Sequence, residues 1–348
     1  MRAHRHIITI AMVLLLSSCG SPDDDGAYVL TFASPYPPSH PFSVADREWM
    51  DTVSERAGGQ IRFKAFWSGS LISSDMSMLE IARGVADIGL ITPIYTRGGA
   101  HALRAQAGFY SGVGTIEEQV AIYDCLAQQF PAFARELEGL RVLAVQGGNF
   151  PGILTRDRPV QKLEDLRGLR LRAPTETVSV LRRLGADPVN MPMGEVYSAL
   201  AKGVIDGVVA PADTFHSLHF SEVAEHFTTL RFPRGAYPAR AMSARTWEQL
   251  PPDLQQLIAA SRTVWEAALS RELRQAEAAG TEYGKTHGIQ FHAISSAEQA
   301  QFDAIYEAVA LEEARELATL GIEGEAMFRT VQALIATPGP RDCKGDDA

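Results

Sequence analysis

The chain has 348 residues, of which 46% are hydrophobic, 21% charged and 8% aromatic, and its formal net charge is −10. This length is enough for two lobes with separate hydrophobic cores. No run of Lys or Arg suggests nucleic-acid binding, so we expect no nucleic-acid partner.

The first 18 residues have the pattern of a lipoprotein signal peptide. Arg2 and Arg5 precede the apolar run Ile7–Leu16, which is too short to span a bilayer. Residues 16–19 (LSSC) resemble the bacterial lipobox, in which the cysteine, here Cys19, is lipidated and becomes the mature N-terminus. An ordinary secretory signal cleaved near the same place is the alternative. Residues 19–27 are predicted to be a tether that holds a soluble periplasmic protein at a membrane surface.

Residues 28–92 predict a first unit of alternating strands and helices. The predicted strands are Tyr28–Ala33, Gln60–Trp67 and Ile88–Thr92, and the helices between them are Ser43–Arg56 and Ser74–Ala86. The order β-α-β-α-β predicts a parallel sheet with right-handed crossovers, and therefore an α/β fold.

Residues 163–211 repeat this order. The predicted strands are Leu169–Ala173, Val189–Met191 and Gly207–Ala210, and the helices are Glu176–Leu184 and Gly194–Ala201. Ligands of such sheets bind beyond the carboxyl ends of the strands. Arg172 lies at the end of the first strand, which makes it a candidate ligand-binding residue.

The two units also share a local motif. Residues 82–87 (ARGVAD) and 201–206 (AKGVID) each connect the second helix of a unit to its last strand. The glycine suits a helix C-cap, the preceding basic residue faces the negative end of the helix dipole, and the aspartate opens the next strand. Its matching place in both units predicts two related lobes.

The remaining segments predict how the lobes are connected. Lobe I is expected to comprise residues 28–149 and 236–275, lobe II residues 150–235 and 276–336, and a polar tail residues 337–348. The loop at residues 147–152 (GGNFPG) suits a hinge or a pocket wall. A long helix, from Asp253 towards Gly280, is expected to lie across both lobes.

Two cysteines remain besides Cys19. Cys125 lies in a predicted amphipathic helix, Thr115–Phe130, and we interpret it as a buried thiol. Cys343 lies in the polar tail. A disulfide between them is possible in an oxidising compartment, but nothing in the sequence requires one.

No catalytic constellation is found in the sequence. P-loop, G-x-G-x-x-G, H-E-x-x-H and G-x-S-x-G motifs are missing. His216 and His219 are spaced i, i+3 without an apparent third ligand, so we interpret them as a solvated pair and expect neither metal nor cofactor. A two-lobed α/β protein without catalytic motifs is best interpreted as a solute receptor that closes on its ligand by hinge motion.

Several motifs together resemble the substrate-binding proteins of TRAP transporters, the DctP family. The matching segments lie in the family's order over nearly all of the mature chain. They are SHPF (39–42), FWSGSL (66–71), GVADIGLIT (84–92), LEDLRGLRLRAP (163–174), GADPVNMPMGEVYSAL (185–200), GVIDG (203–207) and RTWEQLPPDLQQ (245–256). The resemblance implies a two-lobed periplasmic-binding-protein-like fold and delivery of an organic anion to the two membrane subunits of an ion-gradient-driven permease.

The resemblance assigns Arg172 to the ligand carboxylate. A guanidinium agrees with that role, because its planar fork matches a carboxylate and remains charged. A structural ion pair with Asp165 or Glu176 is the alternative. Arg170 shares the same sheet face and is a rival, but Arg172 lies nearer the carboxyl end of the strand.

Departures from the family pattern bear on the ligand. Many relatives have D-G-Q-E-N-P where this chain has DGVVAP at residues 206–211, so Ala210 replaces a ligand-binding amide. The second arginine of some relatives aligns with Gly152. Asp213 is a candidate to bind a hydroxyl or a cation, or to cap a helix. We therefore expect a single strong anchor and a monocarboxylate with an apolar or aromatic body.

Six further residues complete the predicted site. Trp67, Phe150 and Tyr237 lie near pocket positions of the family, although each is equally compatible with the core. Asn149, Thr92 and His40 are candidates for hydrogen bonds at the lobe edges. A receptor of the same fold that serves a sensor system, and an extracytoplasmic enzyme on a two-lobed scaffold, are the alternative functions.

Overall fold

A computed structural model describes residues 26–96, 98–337 and 343. The predicted signal peptide, Cys19, most of the tether and most of the polar tail lie outside the described residues. No helix within the described ranges has the length and apolar character needed to cross a membrane.

The described residues form eleven strands and thirteen α-helices. The strands are β1 (Tyr28–Ala33), β2 (Ile61–Phe66), β3 (Ile88–Leu90), β4 (Leu140–Gln146), β5 (Gly152–Thr155), β6 (Arg170–Arg172), β7 (Asp187–Val189), β8 (Gly207–Ala210), β9 (His226–Thr228), β10 (Tyr237–Ser243) and β11 (Gln290–His292). The helices are α1 (Pro41–Arg56), α2 (Ser77–Ala82), α3 (His101–Ala105), α4 (Ile116–Gln129), α5 (Pro131–Glu136), α6 (Thr175–Arg183), α7 (Met193–Ala201), α8 (Thr214–Ser217), α9 (Ala244–Gln249), α10 (Pro252–Ala260), α11 (Arg262–Thr286), α12 (Ser296–Glu316) and α13 (Gly324–Ala336). Short 3-10 helices cover Pro93–Tyr95, Gln106–Gly108, Leu163–Leu166, Phe220–Glu222 and Leu317–Leu320.

The described strands form two sheets, one in each lobe. Their orders are β2-β1-β3-β10-β4 and β11-β9-β5-β8-β6-β7. Each sheet contains one parallel β-α-β-α-β unit, β1 to β3 in the first and β6 to β8 in the second, and β10 and β5 run antiparallel beside them. The predicted two-lobed α/β fold is confirmed. The chain crosses between the sheets after β4 and again before β10, so residues 147–151 and 229–236 lie at the boundary of the lobes.

Some element bounds differ from the prediction. The long helix is interrupted at Ser261 between α10 and α11, and the hydroxyl of Ser261 donates to the carbonyl of Ile258 at 2.6 Å while accepting from Trp49 at 2.7 Å. A serine that bonds its own preceding turn competes with regular helix hydrogen bonding. The second strand of lobe II is Asp187–Val189 rather than Val189–Met191, because Arg172 pairs with Val189 in the parallel ladder.

The repeated motif has the same geometry in both lobes. Gly84 and Gly203 have φ of +77° and +66°, the left-handed conformation that glycine adopts at a helix C-terminus. The aspartate three residues later binds the first strand of its unit: Asp87 accepts the backbone N–H of Thr31 at 2.8 Å, and Asp206 accepts that of Arg170 at 2.8 Å. The motif therefore joins the second helix of each unit to its first strand.

A buried ion pair joins lobe I to the long helix. Arg240 on β10 and Asp46 on α1 have fully buried side chains, with 2.6 Å between Nε and Oδ1. Trp265 on α11 donates its indole N–H to the same carboxylate at 2.9 Å, and its ring stacks on Trp49 with centroids 3.7 Å apart. The strand, α1 and the long helix thus share one satisfied charged cluster.

Cys125 and Cys343 form a disulfide. Cys125 is buried, as predicted, but it is one half of a disulfide rather than a thiol, so the pairing that the sequence left open is present. Gln129, on the same helix, donates its side-chain amide to the carbonyl of Cys343 at 2.8 Å. These two contacts attach residue 343 to α4 of lobe I.

The long helix is also attached to lobe II. Glu277 on α11 accepts the backbone N–H groups of Ala212 and Asp213 at 3.3 and 3.1 Å, just before α8 begins. The pKa of Glu277 is raised from 4.5 to about 7, mainly by burial and in addition by the neighbouring Asp213. This carboxyl group is therefore protonated in part of the molecules at neutral pH.

We expect Arg240→Met to lower the free energy of unfolding by roughly 3–5 kcal/mol, because Asp46 would be left as an uncompensated buried charge. Arg183→Met is the matched control: Arg183 pairs with Glu312, but the two side chains are 48% and 53% exposed, so solvent screens the pair and the loss should be far smaller than in Arg240→Met. Urea unfolding measures both values. Equal losses in the two variants would contradict the role assigned to the Asp46–Arg240 pair.

We expect the stability of the wild type to depend on pH, and we expect this dependence to be weaker in the variant Glu277→Gln. Because the pKa of Glu277 is about 7 when folded against an ordinary value of 4.5, the folded state binds this proton more tightly, and stability decreases as pH rises through that window. The free energy of unfolding of the wild type should therefore fall more between pH 5 and pH 8 than that of the variant. Parallel profiles for the two proteins would show that Glu277 does not contribute.

Candidate functional site

A cavity lies between the lobes, where the carboxyl ends of β6 and β8 face the loop before α1 and the first crossing segment. The space open to the centres of water molecules is about 70 Å³, and one water needs roughly 10–15 Å³ by this measure. The cavity therefore has room for a small molecule. It is lined by Tyr36, His40, Phe42, Ile94, Tyr95, Asn149, Pro151, Arg172, Pro174, Glu176, Met193, Val209, Pro211, Asp213, Thr214, Leu218, Arg234, Tyr237 and Leu273.

Arg172 brings a buried positive charge to this cavity. It is the last residue of β6, and only 2% of its surface is exposed. Its guanidinium donates to the carbonyls of Met191 and Val209 at 3.1 and 3.4 Å and to the hydroxyl of Tyr95. A guanidinium has five N–H donors, so two remain for a ligand.

The alternative roles proposed for this charge do not agree with the geometry. No carboxylate among the described residues forms an ion pair with Arg172. Asp165 accepts backbone N–H groups at the start of a 3-10 helix instead, and Glu176 binds Tyr237. The rival Arg170 is paired with Asp206 at 2.6 Å, and its side chain is 43% exposed outside the cavity.

Arg234 provides a second guanidinium that the sequence did not indicate. It lies in the second crossing segment and lines the cavity, and its Nε is buried without a hydrogen-bond partner among the described residues. Gly148 makes room for it, because a Cβ at that position would lie 2.2 Å from the Arg234 Nε. The position aligned with the second arginine of relatives, Gly152, could not hold one: a Cβ there would lie 2.5 Å from the Thr228 carbonyl oxygen.

Two buried carboxyl groups line the same cavity. Glu176, in the first turn of α6, accepts the Tyr237 hydroxyl at 2.8 Å. Asp213 accepts from the Asn149 side chain and from Ser217, both at 3.3 Å. Burial is the main cause that raises the pKa of both carboxyl groups. The cavity therefore places two guanidinium groups beside acids whose ionisation is disfavoured.

The remaining walls are largely aromatic or aliphatic. The imidazole of His40 caps α1, with Nδ1 accepting the Phe42 N–H at 3.2 Å, and burial lowers its pKa to about 3. Its ring packs against Tyr36 with centroids 4.2 Å apart. His40 is thus neutral, and it contributes a ring to the cavity lining rather than a further charge.

Five of the eight residues proposed from the sequence line the cavity, and three do not. Arg172, Asn149, Asp213, Tyr237 and His40 belong to the lining. Trp67 packs on Phe32 with centroids 5.5 Å apart. Phe150 lies under the guanidinium of Arg231, 4.1 Å from its ring centroid, and lines a separate groove. Thr92 is occupied by hydrogen bonds within lobe I, to Ser77 and Ser74.

The residues that the sequence did not indicate share one property. Tyr36 and Arg234 lie in loops, Tyr95 ends a 3-10 helix and Glu176 lies in the first turn of α6. In such places no periodicity marks a side chain as facing a ligand. For Glu176, the available signal was its position four residues after Arg172 in the chain.

The sequence interpreted His216 and His219 as a solvated pair without a third metal ligand. Among the described residues, no group of three or more His, Cys, Asp or Glu side chains could hold a metal ion.

Comparisons with known proteins give the same fold and name the family. The TRAP solute-binding protein of Rhodoferax ferrireducens T118, whose structure holds copurified benzoate, is 26% identical, with a TM-score of 0.81 over 88% of this chain and 97% of that one. A marine metagenome TRAP solute-binding protein, in complex with 3-hydroxybenzoate, is 24% identical with a TM-score of 0.81, over 89% and 98% of the two chains. The latter likeness shows the fold alone.

Curated relatives agree with the structural comparison. A solute-binding protein of Albidiferax ferrireducens is 26% identical over 224 residues, which are 61% of this chain and 63% of that protein. The chain thus spans somewhat less than two thirds of this relative. The sequence profile of the DctP family, "Bacterial extracellular solute-binding protein, family 7", matches residues 32–316. Since this match covers most of the chain, the protein belongs to the DctP family, the substrate-binding proteins of TRAP transporters.

Proposed function

We propose that the protein is an extracytoplasmic receptor that binds a monocarboxylic acid with an apolar or aromatic body between its lobes. The observation that carries this proposal is Arg172: its guanidinium is buried, keeps two N–H groups for a ligand and has no carboxylate partner among the described residues. A buried charge without a counter-ion is costly. A ligand carboxylate would supply the counter-ion and the bidentate geometry that a guanidinium favours.

The charges around the cavity favour one carboxylate. Arg172 and Arg234 both line it, whereas burial disfavours the ionised forms of Glu176 and Asp213. An anion is therefore attracted, and Arg234 revises the expectation of a single strong anchor. A second carboxylate on the ligand would have to remain ionised in the same buried surroundings that disfavour the ionised forms of Glu176 and Asp213. This arrangement supports a monocarboxylate over a dicarboxylate.

The walls support an apolar or aromatic body. Tyr36, Tyr95 and Tyr237 present rings to the cavity, and Phe42, Ile94, Leu218 and Leu273 add apolar surface. Aromatic side chains bury large areas of a flat ligand and stack on its ring. The benzoate that copurified with the Rhodoferax protein, at 26% identity, is an acid of this kind and supports the assignment.

The same proposal includes the transport step and the anchor. Family membership supports delivery of the bound acid to the small and large membrane subunits of a TRAP permease. Lipidation of Cys19, followed by the short acidic tether, would hold the receptor at the periplasmic face of a membrane. The transport step and the lipid anchor add to the binding proposal, and neither changes which residues form the binding site.

We expect Arg172→Met to weaken binding of aromatic monocarboxylates by roughly 2–5 kcal/mol, because a buried charge-assisted pair is lost. Residues 27–348 would first be screened with benzoate, phenylacetate, mandelate, lactate and succinate by thermal shift. An acid at 100 times its dissociation constant should stabilise the fold by about 2.7 kcal/mol. Calorimetric titration of the best acid into wild type and variant then measures the loss.

Arg170→Met is the matched control for this experiment. It removes an arginine two positions away that is paired with Asp206 outside the cavity, so affinity should stay close to the wild-type value. If no carboxylate shifts the melting temperature, or if Arg172→Met binds the acid as tightly as the wild type, the proposed function is refuted.

We expect Gly148→Ala to lower affinity for the same acid by roughly tenfold, which is the order of one hydrogen bond, while preserving most of the stability. The new Cβ would lie 2.2 Å from the Arg234 Nε, so the flexible guanidinium would move away from its position at the cavity. Gly194→Ala is the control, since a Cβ there meets nothing within 4 Å. Wild-type affinity in Gly148→Ala would remove Arg234 from the proposed site.

A further inference from the structure

Two carboxyl groups lie close together where the long helix packs on lobe II, at the wall of the cavity. Glu277 on α11 accepts the backbone N–H groups of Ala212 and Asp213 at 3.3 and 3.1 Å. Asp213 itself lines the cavity, and only 4% of it is exposed. The helix packs tightly on this segment, since a Cβ at Gly280 would lie 2.4 Å from the Ala212 carbonyl oxygen. The two acids therefore form one cluster, the Asp213–Glu277 pair.

The Asp213–Glu277 pair is poised between two charge states. Two carboxylates that share a site repel each other, so one of them binds a proton more readily. Burial raises the pKa of both groups, and the charge of Asp213 contributes to bringing the pKa of Glu277 to about 7. Arg234 lowers the pKa of both groups. The amount of proton that the pair holds at neutral pH therefore depends on Arg234.

A bound anion would change this balance. Arg234 lines the cavity, and its Nε has no hydrogen-bond partner among the described residues. It is one of the two positive charges that attract the acid in the proposed function. An anion beside Arg234 offsets its charge, adds a negative charge near Asp213 and displaces water from the cavity. Each of these three changes favours the protonated form of a carboxyl group.

We propose that the receptor binds its acid together with a proton, which the Asp213–Glu277 pair takes from the solvent when the anion enters the cavity. This inference rests on the function proposed above and adds a second, coupled binding event at the same site. The anion and the proton together carry no net charge, so the filled cleft gains no negative charge.

The other charged side chains that pack on the long helix are held in ion pairs. They come from α1 and α4, and their carboxylates meet arginines of α11. The pairs are Glu48 with Arg271, Glu117 with Arg274 and Asp124 with Arg262. The nearest neighbour from the first crossing segment, Asn149, is neutral and donates to Asp213 at 3.3 Å.

The titratable groups of the cavity lining leave one competitor for the proton. Burial lowers the pKa of His40 to about 3, so it stays neutral. Burial also raises the pKa of the three lining tyrosines, which therefore keep their protons. His216 on α8 packs against the ring of Tyr283, a turn or more beyond Glu277. Glu176 is the competitor, because it lines the cavity and burial raises its pKa.

Calorimetric titration in buffers of different ionisation enthalpy counts the protons that binding takes up. The probe is the tightest-binding monocarboxylate of the thermal-shift screen, that is benzoate, phenylacetate, mandelate or lactate, all of which are ionised between pH 6 and pH 9. At pH 7.5, in phosphate and in Tris, we expect the wild type to take up roughly half a proton per acid bound.

The affinity of the wild type should also depend on pH. The bound form holds the proton more tightly than the free form, so affinity is highest below the pKa of the free protein and decreases as pH rises through about 7. Between pH 6 and pH 9 we expect a decrease of roughly tenfold, which corresponds to a rise of about one in the pKa on binding.

Variants locate the proton. In Glu277→Gln, proton uptake should fall close to zero, and affinity should become nearly independent of pH. Glu282→Gln is the matched control: Glu282 lies on the same helix, pairs with Lys285 and has a side chain that is 70% exposed, so it should keep the wild-type uptake. Glu176→Gln tests the competitor, and it should keep the proton uptake whatever its affinity.

Each outcome decides the matter. If the wild type takes up no proton on binding, or releases one, the inference is overturned and the carboxylate receptor stays intact, and this measurement needs no variant to fold. Uptake that survives in Glu277→Gln, or that disappears in Glu176→Gln, assigns the proton to another group and overturns the inference as well. If none of the monocarboxylates binds, the proposed function fails together with the inference.

Discussion

The buried guanidinium of Arg172 is the constraint on which the cleft depends. Two carbonyls of lobe II and one hydroxyl of lobe I hold it, and each of these neighbours is a neutral dipole. Neutral dipoles position a charge without cancelling it. Arg172 therefore keeps its net positive charge in the cleft, which is what the proposed anion receptor requires. Its hydrogen bond to Tyr95 joins it to the opposite lobe.

The same protein contains a second fully buried arginine, Arg240, whose positive charge is compensated by a carboxylate. Arg240 contacts the carboxylate of Asp46, the amide oxygen of Gln146 and the aromatic side chain of Trp265 on the long helix. It lies in lobe I and is not among the residues that line the cavity. This contrast distinguishes the structural role of Arg240 from the ligand-binding role proposed for Arg172 more clearly than burial alone does.

The sequence predicted those features that local patterns determine. Strand and helix periodicity, the repeated glycine and aspartate of each unit, and the strand-end position of Arg172 depend on near neighbours in the chain. Tyr95 and Arg234 reach the cavity only because the two lobes pack against each other, which no local pattern encodes. Trp67 and Phe150 were inferred from their positions near family pockets, and the packing of each ring on its own neighbours, Phe32 and Arg231, decides its orientation.

The glycines of the first crossing segment illustrate this limit. A Gly-Gly pair at a lobe boundary suggests a flexible hinge, yet neither Gly147 nor Gly148 is among the glycines with positive φ. A Cβ at Gly147 would lie 2.5 Å from the side-chain oxygen of Gln119, and one at Gly148 would lie 2.2 Å from Arg234. Gln119 in turn binds both backbone groups of Gly148, accepting its N–H at 2.7 Å and donating to its carbonyl at 3.1 Å. The absence of side chains here therefore provides space for two polar groups, one that holds the segment in place and one that lines the cavity. Glycine at this boundary serves the electrostatics of the site, so its replacement should alter binding before it alters the fold.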